Sequence, residues 1–295
     1  MRVLLAYLAV VLIWGTTPLA IQWSVEGVGA VFALSVRIAI SLVLSYLWMR
    51  FQGLRMVFTA ESMKIYFATV LGVFGAMMCV YWASRFIPSG LISVMFGLAP
   101  IVAGLFAWWL LQESFIRANK LLGACAGVVG LMVIFQDQMY LGPDGWKGML
   151  GMLLSVTLYA LSSVLIKRVG GGTPAVVVNT GGLLVTVPFF AMSWLASGQS
   201  WPDEIPLRAM AAIGYLAVFG SFAGFILFYY VLKRLPTGSV MLITLVTPVI
   251  ALLLGSAVNG ETPAVSAWAG AAVVLSGVLL YEWPAISQLV RKRVY

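Results

Sequence analysis

Residues 81–90 read Tyr81-Trp82-Ala83-Ser84-Arg85-Phe86-Ile87-Pro88-Ser89-Gly90, and residues 229–238 read Tyr229-Tyr230-Val231-Leu232-Lys233-Arg234-Leu235-Pro236-Thr237-Gly238. The second stretch repeats the pattern of the first 148 positions later. The same shift carries Pro100 onto Pro248 and Glu113 onto Glu261. After a one-residue gap, Gly123 and Gly130 fall on Gly270 and Gly277. Near the start, Trp14-Gly15 matches Tyr159-Ala160 at a shift of 145. A fixed shift over this length marks an internal duplication. The halves run over residues 3–135 and 146–282, and residues 283–295 form a basic tail.

The solvent of these halves follows from composition. The 295 residues are 62% hydrophobic and 9% charged, with a mean hydropathy of +1.05. A soluble domain carries roughly 25% charged residues. So little charge cannot coat a water-facing surface of this size, so the bilayer is the main solvent. Ten apolar segments stand out, at residues 3–23, 31–49, 65–86, 89–111, 120–135, 148–166, 175–196, 207–232, 237–258 and 265–281. Nearly all are long enough for a helix to cross about 30 Å of hydrocarbon. The alternation of a transmembrane β-strand is absent. Breaks coincide with Pro88, Pro143, Pro174, Pro206, Pro236 and Pro263, and proline opens or ends helices. The expected fold is all-α: ten transmembrane helices in two five-helix repeats. Met1–Ala20 is read as the first span and not as a removable leader, because its repeat copy is the sixth span.

Placing the N-terminus in the cytoplasm and alternating sides puts 13 of the 17 Lys and Arg residues on cytoplasmic segments. Arg85, Lys147 and Arg208 fall on the other side, and Arg37 lies within a span. That bias predicts cytoplasmic N- and C-termini in an inner, plasma-type membrane. Five spans per half is an odd number, so the second half enters the membrane inverted. Inverted repeats are an architecture of secondary carriers.

Several chemistries are excluded. There is no histidine, and the two cysteines, Cys79 and Cys125, both lie in apolar runs. No metal site or cofactor is expected. The nine Asp and Glu residues all fall in loops or at span ends, which removes an intramembrane aspartyl enzyme and any obvious proton relay. The net charge of +8 follows from cytoplasmic loops and does not require a nucleic-acid partner. The expected partners are a small-molecule solute and the bilayer.

The repeated elements resemble the drug/metabolite transporter superfamily and its ten-helix EamA-type carriers. The resemblance rests on Trp14-Gly15, Arg37 early in the second span, Pro88 with Gly90 and Pro236 with Gly238, mid-span Pro100 and Pro248, and Glu113 and Glu261. It implies a cavity formed mainly by spans 1–4 and 6–9, with spans 5 and 10 peripheral. It also implies a carrier, mostly an exporter, working by alternating access, with aromatic-amino-acid and threonine exporters as analogues. Other anionic metabolites, drugs or solute exchange are the alternatives. Small multidrug exporters of half this size depend on a glutamate in their first helix; here that region reads Leu12-Ile13-Trp14-Gly15-Thr16-Thr17.

Arg37 is the leading candidate for solute binding. A charge inside a span is costly and usually faces a cavity or a partner, and a guanidinium grips a carboxylate with two hydrogen bonds. A structural clamp onto helix-end carbonyls is the competing role. Trp14, Tyr81, Tyr159 and Tyr229 supply aromatic surface, and Met78 and Met95 supply adaptable surface. Thr17, Ser163, Asn179 and Thr244 could hydrogen-bond a solute, and equally their own helix backbone or a neighbouring helix. Pro100 and Pro248 are expected as mid-helix bends that gate. The glycines of spans 5 and 10 are expected in tight helix packing or at a homodimer face.

Overall fold

The computed structural model describes the chain apart from Pro88, 114–116, 140–142, Gly171, Gln199, Ser200, Asp203, 259–262 and Tyr295. Side chains are also not described for Pro18, Leu19, Gln22, Ser89, Gly90, Gln138, Gly255, 257–258 and 285–294. Pro88 and Glu261, each named from sequence, lie outside the described residues.

Among the described residues the regular structure is helical throughout. The helices are α1 (Arg2–Ser24), α2 (Ala30–Phe51), α3 (Ala60–Ala83), α4 (Ser89–Phe96 continued by Ala99–Leu111) and α5 (Ala118–Ile134). They continue as α6 (Gly145–Val169), α7 (Ala175–Ala196), α8 (Leu207–Leu232), α9 (Thr237–Met241 continued by Ile243–Val258) and α10 (Val265–Val294). Eight are long and apolar enough to cross a membrane, and α1 and α5 contain the shorter apolar stretches Arg2–Thr17 and Ala118–Ile134. Pro174, Pro206 and Pro236 each stand at the N-cap of the next helix. The fixed proline φ suits a helix start and its missing N–H costs nothing there. Residues 283–294, expected as a separate tail, continue α10 as helix through Pro284.

Contacts group the chain into two compact units. One comprises Met1–Met77 and Leu165–Arg234, the other Met78–Val164 and Leu235–Tyr295. Each draws on both halves of the sequence, so neither repeat is a packing unit alone.

In the first unit, α2 and α3 pack on α7, and α1 packs on α8. Without water, polar side chains act as fasteners between apolar helices. The Ser41 hydroxyl bonds the Ala217 carbonyl at 3.0 Å, and Ser45 and Thr180 share a hydroxyl bond of 2.8 Å. Tyr66 is wholly buried, lies against Gly181 where a side chain would collide with its ring, and donates its hydroxyl to the Val57 carbonyl at 2.9 Å.

In the second unit the dominant contact is α5 on α10. Their glycines interlock. A Cβ on Gly270 would sit 2.6 Å from the Gly130 carbonyl, and one on Gly277 would sit 2.6 Å from the Gly123 carbonyl. Gly127 faces Leu245 of α9. The glycine faces therefore meet within one chain, as tight packing. Their outward sides are apolar and exposed, with Leu121, Leu122 and Val129 on α5 and Leu275 and Leu279 on α10.

A methyl group forced into that seam has nowhere to go, because what it meets is backbone. Overpacking of a well-filled interior costs about 1–3 kcal/mol even where side chains can shift. Gly270→Val is expected to lower the melting temperature of the detergent-purified protein by several degrees. Gly172→Ala, where nothing lies within 4 Å, is expected to leave it unchanged.

Candidate functional site

The sequence-derived residues fall into separate groups. Three of them, Trp14, Thr17 and Arg37, gather around one irregular stretch of α8, and Tyr229 lies further along the same helix. Residues Leu216–Ala223 there form a π-helix, a geometry whose wider turns turn some carbonyls away from the ladder. Side chains of α1 and α2 use them. Trp14 donates its indole N–H to the Gly220 carbonyl at 3.3 Å, and its ring packs on Phe228 and Phe225 at 5.1 and 6.0 Å between centroids. Thr17 turns its hydroxyl back onto the Trp14 carbonyl at 2.7 Å. Tyr229 is buried against Phe225 and Phe228.

Arg37 is 6% exposed. Its Nε donates to the Ser221 hydroxyl at 2.8 Å, and its guanidinium passes so close to Gly220 that a Cβ there would lie 3.1 Å away. A Cβ at Gly220 would also lie 3.6 Å from Thr17. A Cβ at Gly224 would lie 2.8 Å from the indole nitrogen, so the absence of side chains at residues 220 and 224 lets the indole, the threonine and the guanidinium crowd one turn of α8. In this conformation Arg37 fastens α2 to the π-helical turn of α8.

A second π-helix occupies Leu71–Gly75 in α3. Shifted by the repeat, those positions become Phe219–Ala223, inside the π stretch of α8. Sequence reasoning missed both segments. The available signal was Gly72, whose repeat partner is Gly220.

The remaining candidates lie elsewhere. Asn179 is buried and donates to the Ser45 hydroxyl at 3.2 Å, binding α7 to α2. In the second unit, Tyr159 meets Phe96 edge-on at 6.3 Å. Ser163 and Thr244 direct their hydroxyls to carbonyls of their own helices, Tyr159 at 2.9 Å and Met241 at 2.8 Å. Met95 is buried in a core that includes Leu91, Val94, Leu131 and Leu242. Tyr81 is half-buried, and Met78 lines an outer groove with Cys79 and Trp82.

The two prolines differ. Pro248 is inside a continuous helix, as expected. Pro100 is not a mid-helix bend: α4 breaks at Gly97 and Leu98, and Pro100 stands in the first turn of the new helix from Ala99. Proline is at home where the first N–H groups have no helical acceptor. The α9 break falls one turn earlier in repeat terms, at Leu242. Its start is capped across the chain by Glu113, whose carboxylate accepts the Thr237 N–H at 2.8 Å.

Among the described residues, ten mostly apolar helices, fastened by buried hydroxyls, a buried guanidinium and interlocked glycines, define a multi-pass membrane protein. The EamA-like transporter family model matches residues 1–136 and 146–283, and the chain belongs to that family, within the drug/metabolite transporter superfamily. It is 25% identical over 293 residues to the "uncharacterized inner membrane transporter YedA" of Escherichia coli K12, covering 95% of this chain and 92% of that one. It is 24% identical over 274 residues to an "uncharacterized transporter" of Archaeoglobus fulgidus, covering 90% and 94%. Protein PecM of Dickeya dadantii shares 25% identity over 193 residues, 63% of this chain and 61% of that one. A solved crystal structure superposes with a TM-score of 0.83 over 99% of this chain and 98% of its own, at 19% identity; that likeness concerns the fold alone.

Just beyond α8, Lys233 donates its ammonium to the Thr173 carbonyl. Burial, and then the charge of Arg234, lower its pKa to about 8. An unfolded chain keeps that proton to a higher pH, so it binds more protons than the folded one between the two values. Stability from this group therefore rises with pH through that window. Relative to Lys233→Met, the wild-type melting temperature is expected to climb between about pH 7.5 and about pH 10. A flat difference would show an ordinary lysine.

Proposed function

We propose that this membrane transporter is a secondary carrier, an exporter of small metabolites such as amino acids, working by alternating access between two inverted halves. Family membership supports transport; the finer reading rests on one observation. Arg37 is a cation buried beside an irregular helical turn, with an indole and a hydroxyl next to it. A guanidinium there matches a carboxylate, and the indole matches the apolar or aromatic remainder of an amino acid. Its partner Ser221 is an uncharged hydroxyl, whereas a carboxylate adds an opposite charge and a second, parallel hydrogen bond. An arriving carboxylate can therefore replace the hydroxyl, and the contact between α2 and α8 loosens as solute binds. The matching π-helical segments in α3 and α8 give each half a wide turn at the same place, and such turns are frequent at functional sites.

The decisive measurement is efflux from proteoliposomes loaded with labelled amino acids and with an uncharged solute of similar size. Arg37→Gln is expected to reduce amino-acid efflux at least tenfold, and Arg37→Lys to recover part of it. Melting curves of both variants separate transport from folding. Equal loss for charged and uncharged solutes in a folded variant would overturn the carboxylate role. Loss of efflux unless solute is supplied on the far side would identify an exchanger.

The orientation reading places both termini in the cytoplasm. Single cysteines at residues 2 and 234 are then expected to resist an impermeant thiol reagent applied to intact cells, and one at residue 85 to react. The homodimer expectation narrows to the outward faces of α5 and α10, since their glycines already face each other.

A further inference from the structure

An apolar groove of about 390 Å³ runs along the outside of the second unit, between the end of α3 and the start of α6. Met78, Cys79 and Trp82 form one wall, and Leu150, Gly151 and Leu154 form the other. The two helices run antiparallel here. Gly148 faces Ile87, and Gly151 faces Trp82, where a Cβ would lie 2.8 Å from the indole ring. The missing side chain at Gly151 lets the Trp82 ring lie close against α6. Leu150 and Leu154 stand half exposed as the rim of the groove.

The chemistry changes sharply at one end. Arg85 follows Trp82 on the α3 side, and Trp146 with Lys147 begins the α6 side. Lys147 lies 5.9 Å from the Phe86 ring and 5.8 Å from the Trp146 ring, and pairs with Asp144 at 2.9 Å at the surface. An exposed pair of this kind contributes little and rearranges readily. From Lys147 to Leu154 is about 10 Å along a helix. A strip of that length, apolar along its sides and cationic at the mouth with tryptophans at the boundary, has the profile of a lipid.

A second observation strengthens this. The charge tally leaves only three cations on the cation-poor side of the membrane, Arg85, Lys147 and Arg208. Two of the three flank this one groove, on elements 62 residues apart in sequence. Where cations are otherwise excluded, two at the same end of an apolar strip imply an anion.

We infer that the groove between α3 and α6 is a binding site for an anionic phospholipid of the surrounding membrane. The phosphate sits at Arg85 and Lys147, and the first part of an acyl chain lies along Trp82, Cys79 and Leu154. The inference requires that the protein spans a membrane, and does not depend on which solute it carries or in which direction.

The test uses the full chain, purified in mild detergent and stripped of lipid. Phosphatidylglycerol and phosphatidylcholine of identical acyl chains are titrated separately and counted by native mass spectrometry. The first phosphatidylglycerol is expected to bind at least tenfold more tightly than phosphatidylcholine. In the surface double variant Arg85→Gln, Lys147→Gln that preference is expected to vanish. Location is read separately in Cys125→Ala protein, where Cys79 is the remaining thiol. Phosphatidylglycerol is expected to slow its alkylation by N-phenylmaleimide several-fold, and glycerol phosphate, which lacks a tail, to leave it unchanged. Equal binding of the two lipids, a preference that survives the double variant, or an unprotected Cys79 would each overturn the site. None of these outcomes depends on transport, so failure here and failure of the carrier reading are distinguishable.

Discussion

A backbone N–H or C=O in hydrocarbon has no water to turn to, and the rest of this structure depends on that constraint. It dictates helices, and it requires a partner wherever a helix departs from regularity. The π-helical turn of α8 meets the requirement with side chains of other helices: Trp14 takes up the Gly220 carbonyl, and Ser41 takes up the Ala217 carbonyl. The start of α9 meets it with the Glu113 carboxylate on the Thr237 N–H. Negative charge at a helix N-terminus is favourable for the same reason that the orphan N–H groups need an acceptor. At the turn of α8 and the start of α9, another part of the chain supplies the missing bond.

The two units meet a related difficulty differently. Lipid tails are as apolar as leucine, so burying leucine against leucine yields little net association. The first unit relies on buried hydroxyls and one amide, Ser41, Ser45, Thr180 and Asn179, together with Arg37. The second relies on close backbone approach, with Gly123 and Gly130 against Gly277 and Gly270. Small residues there allow dense van der Waals contact that lipid cannot match. The same device recurs at Gly151, where it shapes an outer groove and not a seam. A polar fastening can be exchanged for a solute's polar group, whereas a glycine seam cannot. That difference fits the placing of Arg37 among exchangeable contacts.

Much of the fold was legible because its signals are local and repeated. Ten apolar runs, proline punctuation at 174, 206 and 236, and the Tyr81–Gly90 and Tyr229–Gly238 match need no knowledge of packing. The candidate site was legible only in part. Trp14, Thr17 and Arg37 do gather at one turn, but the turn itself, Leu216–Ala223, carries no obvious mark except the glycine pair 72 and 220. Met95 reads like a cavity residue and is core; Pro100 reads like a kink and opens a helix. For Ser163 and Thr244 the sequence left a solute contact and an own-helix bond equally open, and they bond their own helices. Each difference turns on which neighbour is within reach, and residue type alone does not specify a neighbour.

The sequence by itself determined the solvent, the number of spans and the doubling, because hydrophobicity, length and repetition are properties of the chain in order. Only the tertiary structure decided that both halves contribute to each compact unit, that the α5 and α10 glycines face each other, and that Arg37 rests on a widened turn of α8. Those outcomes depend on how surfaces fit across helices far apart in sequence. Fit is a matter of ångströms between backbones, which no local pattern of residues encodes.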